Sequence, residues 1–186
     1  LWPGVETTNG SVTVNVTDIN EVSNITSIDT GSAEENADIT TVIYDAEATD
    51  PDGDTLTYSV SGTDQAYVTI DTDDGEVRLL NPADYETKDS YTFDVTASDG
   101  ELSDTKTVTV NVTDTNEVSN ITSSDTGSVT ENADITTVIY DADATDPDGN
   151  TLTYSVSGTD ASYVEIDSDD GEVRLLNPAD YETKDS

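Results

Sequence analysis

The sequence repeats itself. Residues 21–90 recur at 117–186, an offset of 96 residues, and only nine of the 70 aligned positions differ, among them Asp54 against Asn150 and Thr69 against Glu165. The offset extends backwards: Val12 through Asp18 reads the same as Val108 through Asp114. One unit therefore runs over 21–116, preceded by the tail of another (1–20). A second unit, 117–186, stops before the counterparts of Tyr91–Ser98 and Lys106–Thr113. Residues 1–8 hardly match the repeat, apart from Gly4 opposite Gly100. A period of this length is too long for a solenoid and suits a β-sandwich domain.

Within the unit, side chains alternate with the period of two that half-buried strands require. Leu56, Tyr58 and Val60 share one face of Thr55–Ser61. Tyr91, Phe93, Val95 and Ala97 point inward from Tyr91–Ser98, and Val108, Val110 and Val112 from Lys106–Thr113. The β-branched run Asp38–Tyr44, the pair Tyr67–Ile70 and Glu76–Leu80 around Thr72-Asp73-Asp74-Gly75, and an extended Val22–Glu35 complete about seven strands. No amphipathic helix pattern is present. The expected fold class is all-β: tandem seven-stranded Greek-key sandwiches of immunoglobulin-like type.

Charge restricts what such a fold can do. The chain has 42 acidic and 5 basic side chains, for a net charge of −37. Nucleic acid and anionic membrane surfaces are excluded as partners, because both need a basic patch. Self-repulsion at this density loosens a compact state unless a cation neutralises it, and carboxylates in number select a hard ion, calcium, over zinc. An acidic surface adapted to a salty environment is a second, compatible reading. With no Cys and no His, disulfides, thiolate and imidazole metal sites, and Ser-His-Asp chemistry are absent. No apolar run approaches the roughly 18 residues of a membrane span.

The carboxylates cluster. Asp50-Pro51-Asp52-Gly53-Asp54 places Asp at alternate positions of a turn, so several oxygens can converge on one ion while Gly53 permits the bend. Asp146-Pro147-Asp148-Gly149-Asn150 repeats it. It is not an EF-hand loop, since Ser61 stands where the closing glutamate belongs and the flanks are strands.

Six short motifs in order resemble those of the cadherin repeat: Glu35-Asn36; Ala48-Thr49-Asp50-Pro51-Asp52; Ile70-Asp71 with Gly75-Glu76-Val77; Asp84-Tyr85-Glu86; Ala97-Ser98-Asp99-Gly100; and Asp114-Thr115-Asn116-Glu117. The resemblance spans the whole unit and recurs in the second as far as that extends. It implies calcium at junctions between successive domains. One junction would draw on Glu35, Asp84 and Glu86, the linker residues Asp114, Asn116 and Glu117, and Asp146, Asp148 and Asn150. An upstream one would draw on Asp18, Asn20, Glu21, Asp50, Asp52 and Asp99. The linker departs from the family in carrying Glu117 and Val118 where Asp and Asn are usual, which bears on ion number and affinity.

The resemblance implies an extracellular, calcium-stiffened extender repeat of a large bacterial surface or secreted adhesin of RTX type. Its first partners would be neighbouring repeats of the same polypeptide. The alternatives are a carbohydrate- or homophilic-binding module, with glycan or itself as partner, and a filament subunit in which Ser11–Thr17 complements the strand-deficient second unit. No enzyme is expected: paired carboxylates are unavoidable in so acidic a chain, and no aromatic-lined cleft accompanies them. Asn-x-Ser/Thr sequons at Asn9, Asn15, Asn24, Asn111 and Asn120 follow from Thr-rich strands. Tyr44, Tyr58 and Tyr67 are expected in the core, with exposed sugar-stacking platforms as the other reading.

Overall fold

The computed structural model describes residue 4 and residues 9–183. The chain divides into two compact units, one extending to Thr113 and one beginning at Asp114. Among the described residues of the first, nine strands form: β1 (Asn24–Ile25), β2 (Thr30–Glu34), β3 (Tyr44–Asp45), β4 (Ala48–Thr49), β5 (Thr57–Ser61), β6 (Val68–Ile70), β7 (Glu76–Leu79), β8 (Ser90–Ser98) and β9 (Ser103–Thr113). One sheet has the order β2-β9-β8-β5, a second β3-β7-β6, and β1 pairs with β4. All ladders are antiparallel except β2 on β9, which runs parallel from Thr30 opposite Thr109 to Glu34 opposite Thr113. This is the all-β sandwich that the alternation implied.

The core lies between the two larger sheets, built by the predicted inward faces. Phe93, Val95, Val108 and Val110 are at most 1 % exposed, and Val77 faces them from β7 at 0 %. Tyr44 meets Phe93 edge to face, with ring centroids 6.5 Å apart and planes at 77°. That arrangement places the positive ring edge on the negative π face.

Three expectations are corrected. Asp38–Tyr44 is not a continuous strand. The Asp38 carboxylate accepts the backbone N–H and the hydroxyl of Thr40 at 2.8 and 2.7 Å, and Thr41 N–H returns to Asp38 C=O at 2.9 Å. That local turn outcompetes the ladder until Tyr44, as Asx turns do. The segment Tyr67–Ile70 starts its strand only at Val68, after a 3₁₀ turn over Gln65–Tyr67. Tyr67 is 50 % exposed rather than in the core, whereas Tyr44 is 5 % exposed and Tyr58 packs on the core's edge. The Tyr67 and Tyr91 rings meet at 5.6 Å with their planes tilted by 55°, and the Lys88 ammonium sits over both while pairing with Asp64 at 3.2 Å.

In the second unit, β10 (Asn120–Ile121) pairs with β12 (Ala144–Thr145), and a sheet forms from β11 (Val138–Asp141), β14 (Glu172–Leu175) and β13 (Val164–Ile166). The register of β10 on β12 reproduces that of β1 on β4. The counterparts of β2 and β5, residues 126–130 and 153–157, form no strand. In the first unit those elements pair with β9 and β8, whose counterparts are absent from this sequence. A strand is made by its neighbour's backbone as much as by its own side chains.

Candidate metal centre

The β8–β9 hairpin closes through Asp99-Gly100-Glu101-Leu102, with Gly100 at φ 100°. Asp99 Oδ1 accepts the N–H groups of Glu101 and Leu102, both at 2.7 Å, and Oδ2 accepts the Asn20 amide at 3.0 Å. Those N–H groups of Leu102 and Glu101, with the Asn20 amide, hold the Asp99 carboxyl below its ordinary range. At the same end of the domain, Asp50 follows β4. Its Oδ1 accepts Asp52 N–H at 2.9 Å and Asp54 N–H at 3.4 Å, so the side chain organises its own loop.

The same loop gathers carboxylates. One oxygen each from Asp50, Asp52 and Asp54 lie within 4.8 Å of one another, and so do oxygens from Asp18, Glu21 and Asp52. Glu21 donates its backbone N–H to Asp52 Oδ2 at 2.8 Å. Its own carboxyl is pushed above the usual value, first by a hydrogen bond to the Asp52 side chain and that group's charge, then by burial and by Asp18 and Asp50. Like charges so close disfavour simultaneous ionisation unless a cation lies among them. Asp50 Oδ2 is buried without a hydrogen-bond partner. A buried lone carboxylate oxygen is costly unless it is ligated. The residues therefore fit a hard, oxygen-preferring cation.

The second unit repeats two of these backbone contacts. Glu117 N–H donates to Asp148 Oδ2 at 2.9 Å, and Asn150 N–H to Asp146 Oδ1 at 3.3 Å. Asp148 Oδ1 is buried and unpartnered. The Asn150 side chain donates to Asn116 Oδ1 at 2.9 Å, a contact that Asp54 does not offer Asn20 in the first unit. Asp114 lies exposed at the start of this unit.

At the other end of the first unit, past β2 and beside Thr113, Glu35 is 4 % exposed and its Oε2 accepts Tyr85 N–H at 3.0 Å. Asp84 caps a turn: its two oxygens accept the N–H and the hydroxyl of Thr87, each at 2.9 Å. Glu86 is exposed. The structure thus brings Asp18, Glu21, Asp50 and Asp52 together, pairs Asn20 with Asp99, and commits Asp84 to its turn. It adds Asp54, which the sequence signals only through the alternating Asp pattern of the loop.

Residues 29–113 match the cadherin domain family model. Human protocadherin Fat 1 is 36 % identical over 140 residues, 69 % of this chain, and human cadherin-23 is 34 % identical over 142 residues, 73 % of this chain. The chain spans only 3 % and 4 % of those two proteins. Among solved structures, human protocadherin-24 EC1-2 superposes with a TM-score of 0.68 at 23 % identity, covering 83 % of this chain and 77 % of that one. Mouse cadherin-23 EC22-24 gives 0.63 at 25 %, covering 89 % and 57 %. These relatives are animal proteins. Among the described residues no helix is long and apolar enough to cross a membrane. The sandwich, the order of its acidic motifs and these matches together make residues 29–113 a cadherin domain.

Proposed function

We propose that this chain is a calcium-stiffened extender of a large extracellular adhesin, of the bacterial RTX type, in which each repeat acts as a rod segment and performs no catalysis. The observation that carries the reading is a buried carboxylate oxygen without a hydrogen-bond partner in each acidic loop: on Asp50, the first Asp of the loop, in one unit and on Asp148, the second, in the other. Near-identity of the two copies favours a spacer, because a discriminating site needs only one copy.

Bound calcium would supply the positive charge on which the carboxylate and amide oxygens of each junction converge. Asp18, Asn20, Glu21, Asp50, Asp52 and Asp99 form one half-set. Asp114, Asn116, Glu117, Asp146, Asp148 and Asn150 form the next, completed by Glu35, Asp84 and Glu86 of the preceding repeat. The chain's own part is to hold these groups pre-formed: Asp50 Oδ1 and Asp146 Oδ1 fix their loops through the N–H groups at positions 54 and 150. Extracellular modules of this kind bind calcium at roughly 10⁻⁴–10⁻³ M. Ligation of the folded state alone raises its stability by mass action.

The test is a thermal melt in millimolar calcium, in chelator, and in magnesium at matched ionic strength. A large upward shift specific to calcium is expected. Identical melting in all three would reduce the carboxylates to turn caps on an acidic surface and remove the calcium-rod mechanism.

A further inference from the structure

Tyr67 stands half in solvent, whereas Tyr44, Tyr91 and Phe93 of the same domain are at most 5 % exposed. Leu80, 49 % exposed, lies beside it, and its N–H donates to Tyr67 C=O at 2.9 Å. The turn that presents the ring is fixed. Asp64 is buried, precedes the 3₁₀ turn over Gln65–Tyr67 and is tied to β8 twice. Its N–H donates to Thr92 C=O at 3.0 Å, and its Oδ2 accepts Thr92 N–H at 2.8 Å. Asp64 Oδ1 takes the Lys88 ammonium, which braces the Tyr67 and Tyr91 rings. A ring held this firmly, with an ammonium at its margin, loses little freedom on taking a ligand.

We propose that Tyr67, Leu80 and Lys88 form a platform for a neutral polysaccharide, with Asp64 as the residue that positions Lys88. The exposed part of the ring takes the C–H face of a pyranose, whose polarised hydrogens meet the negative π surface. Leu80 extends the apolar floor beneath the next sugar. Lys88, with 30 % of its side chain exposed, offers N–H donors to hydroxyls at the sugar's edge.

Charge selects this occupant. In a chain of net charge −37, residues 65–70 and 79–83 carry no charged side chain, and Lys88 is matched by Asp64. An acidic polysaccharide or a second copy of the chain is repelled by the remaining surface, and a basic protein is drawn to the carboxylate loops instead. A neutral polyol meets neither effect. The two copies of the repeat agree with a kept platform and a varied rim. Three of their nine differences fall at positions 65, 66 and 69, around Tyr67, whereas Asp64, Tyr67, Leu80 and Lys88 recur as Asp160, Tyr163, Leu176 and Lys184. A weak platform set once per repeat holds a long polymer by avidity, so it suits a rod of near-identical units.

The experiment is native electrophoresis of the 186-residue chain, in millimolar calcium, through gels carrying galactomannan, xyloglucan or laminarin, with alginate as the anionic control. Mobility relative to a non-binding protein should fall as at least one neutral polysaccharide is raised, and stay unchanged in alginate. Tyr67→Ala/Tyr163→Ala should abolish the retardation, and Tyr67→Phe/Tyr163→Phe, which keeps the rings, should preserve it. Tyr67 lies outside the core cluster, so the alanine variant keeps its fold, checked by an unchanged melt. Should the melt move, Leu80→Ser/Leu176→Ser reads the same surface with the rings in place and must weaken the retardation. No retardation in any neutral gel, equal retardation in alginate, or retardation that survives loss of both rings overturns the proposal.

Discussion

Glu117 donates its backbone N–H to Asp148 Oδ2 at 2.9 Å, while Asp148 Oδ1 stays buried without a partner. One oxygen of the carboxylate fixes the linker to the loop; the other is the atom that the proposed calcium would take. Glu21 and Asp52 make the same backbone contact at 2.8 Å in the first unit.

Asp148→Asn separates the two tasks. The amide oxygen can still accept Glu117 N–H, so stability in chelator stays close to the parent. If Asp148 ligates, losing its charge weakens calcium binding, because affinity follows the ligand charge count. Calorimetric titration of calcium should show that loss, and equal affinity would mean that Asp148 ligates nothing.

Gly31→Ala tests how closely the two sheets approach. A Cβ at Gly31 would stand 2.4 Å from the Ile43 carbonyl oxygen and 3.0 Å from Val110 Cγ2. Backbone oxygen cannot swing away, so the strands must part, at a cost of about 1–3 kcal/mol. Gly53→Ala is the control: it has φ +79° and no atom within 4 Å, leaving only the conformational cost of about 1 kcal/mol. Denaturant unfolding midpoints should rank the two in that order.

Lys106→Met addresses β1, which is held by side chains. Lys106 Nζ donates to the carbonyls of Ile25 and Ser27, and Asp104 Oδ2 accepts Ile25 N–H at 2.9 Å. Methionine keeps the length and loses the donors. Amide exchange at Ile25 should quicken by about tenfold or more, while the β8–β9 amides stay protected. Uniform exchange across the domain would show that β1 opens only with the whole sandwich.

Acid sensitivity follows from the Asx turn. Thr40 N–H and hydroxyl hold Asp38 below its ordinary value of 3.8. A carboxyl with a lowered native pKa binds more protons unfolded than folded. Its contribution is therefore complete above the unfolded value and disappears as pH falls through the native one. Asp38→Ala should lower the melting temperature by a few degrees at pH 7. Parent and variant should converge in strong acid, and a constant gap across pH would assign the loss to packing.

The repeat, the alternation and the spacing of acidic motifs make the sandwich legible before any coordinates. The inward set Tyr91, Phe93, Val95, Val108 and Val110 is buried as that pattern requires. The strand expected from the β-branched run fails at Asp38–Thr41, where a single carboxylate satisfies two donors of Thr40 locally and removes the residues from the ladder. Sequence also marks Asp50 and Asp52 as candidate ligands, but hydrogen bonding decides which of their oxygens are already used.

Two copies of one sequence separate the remaining contributions. Residues 57–61 and 153–157 are identical, yet only the first set forms a strand; Ile25 is 4 % exposed and its copy Ile121 is 64 % exposed. The sequence alone determined which face of each segment is apolar and where its turns and carboxylates fall, because those depend on neighbours along the chain. Tertiary structure decided whether a segment becomes a strand and whether its apolar face is covered. In the first unit the ladder hydrogen bonds and the burial of these side chains come from β8 and β9, residues far away in sequence.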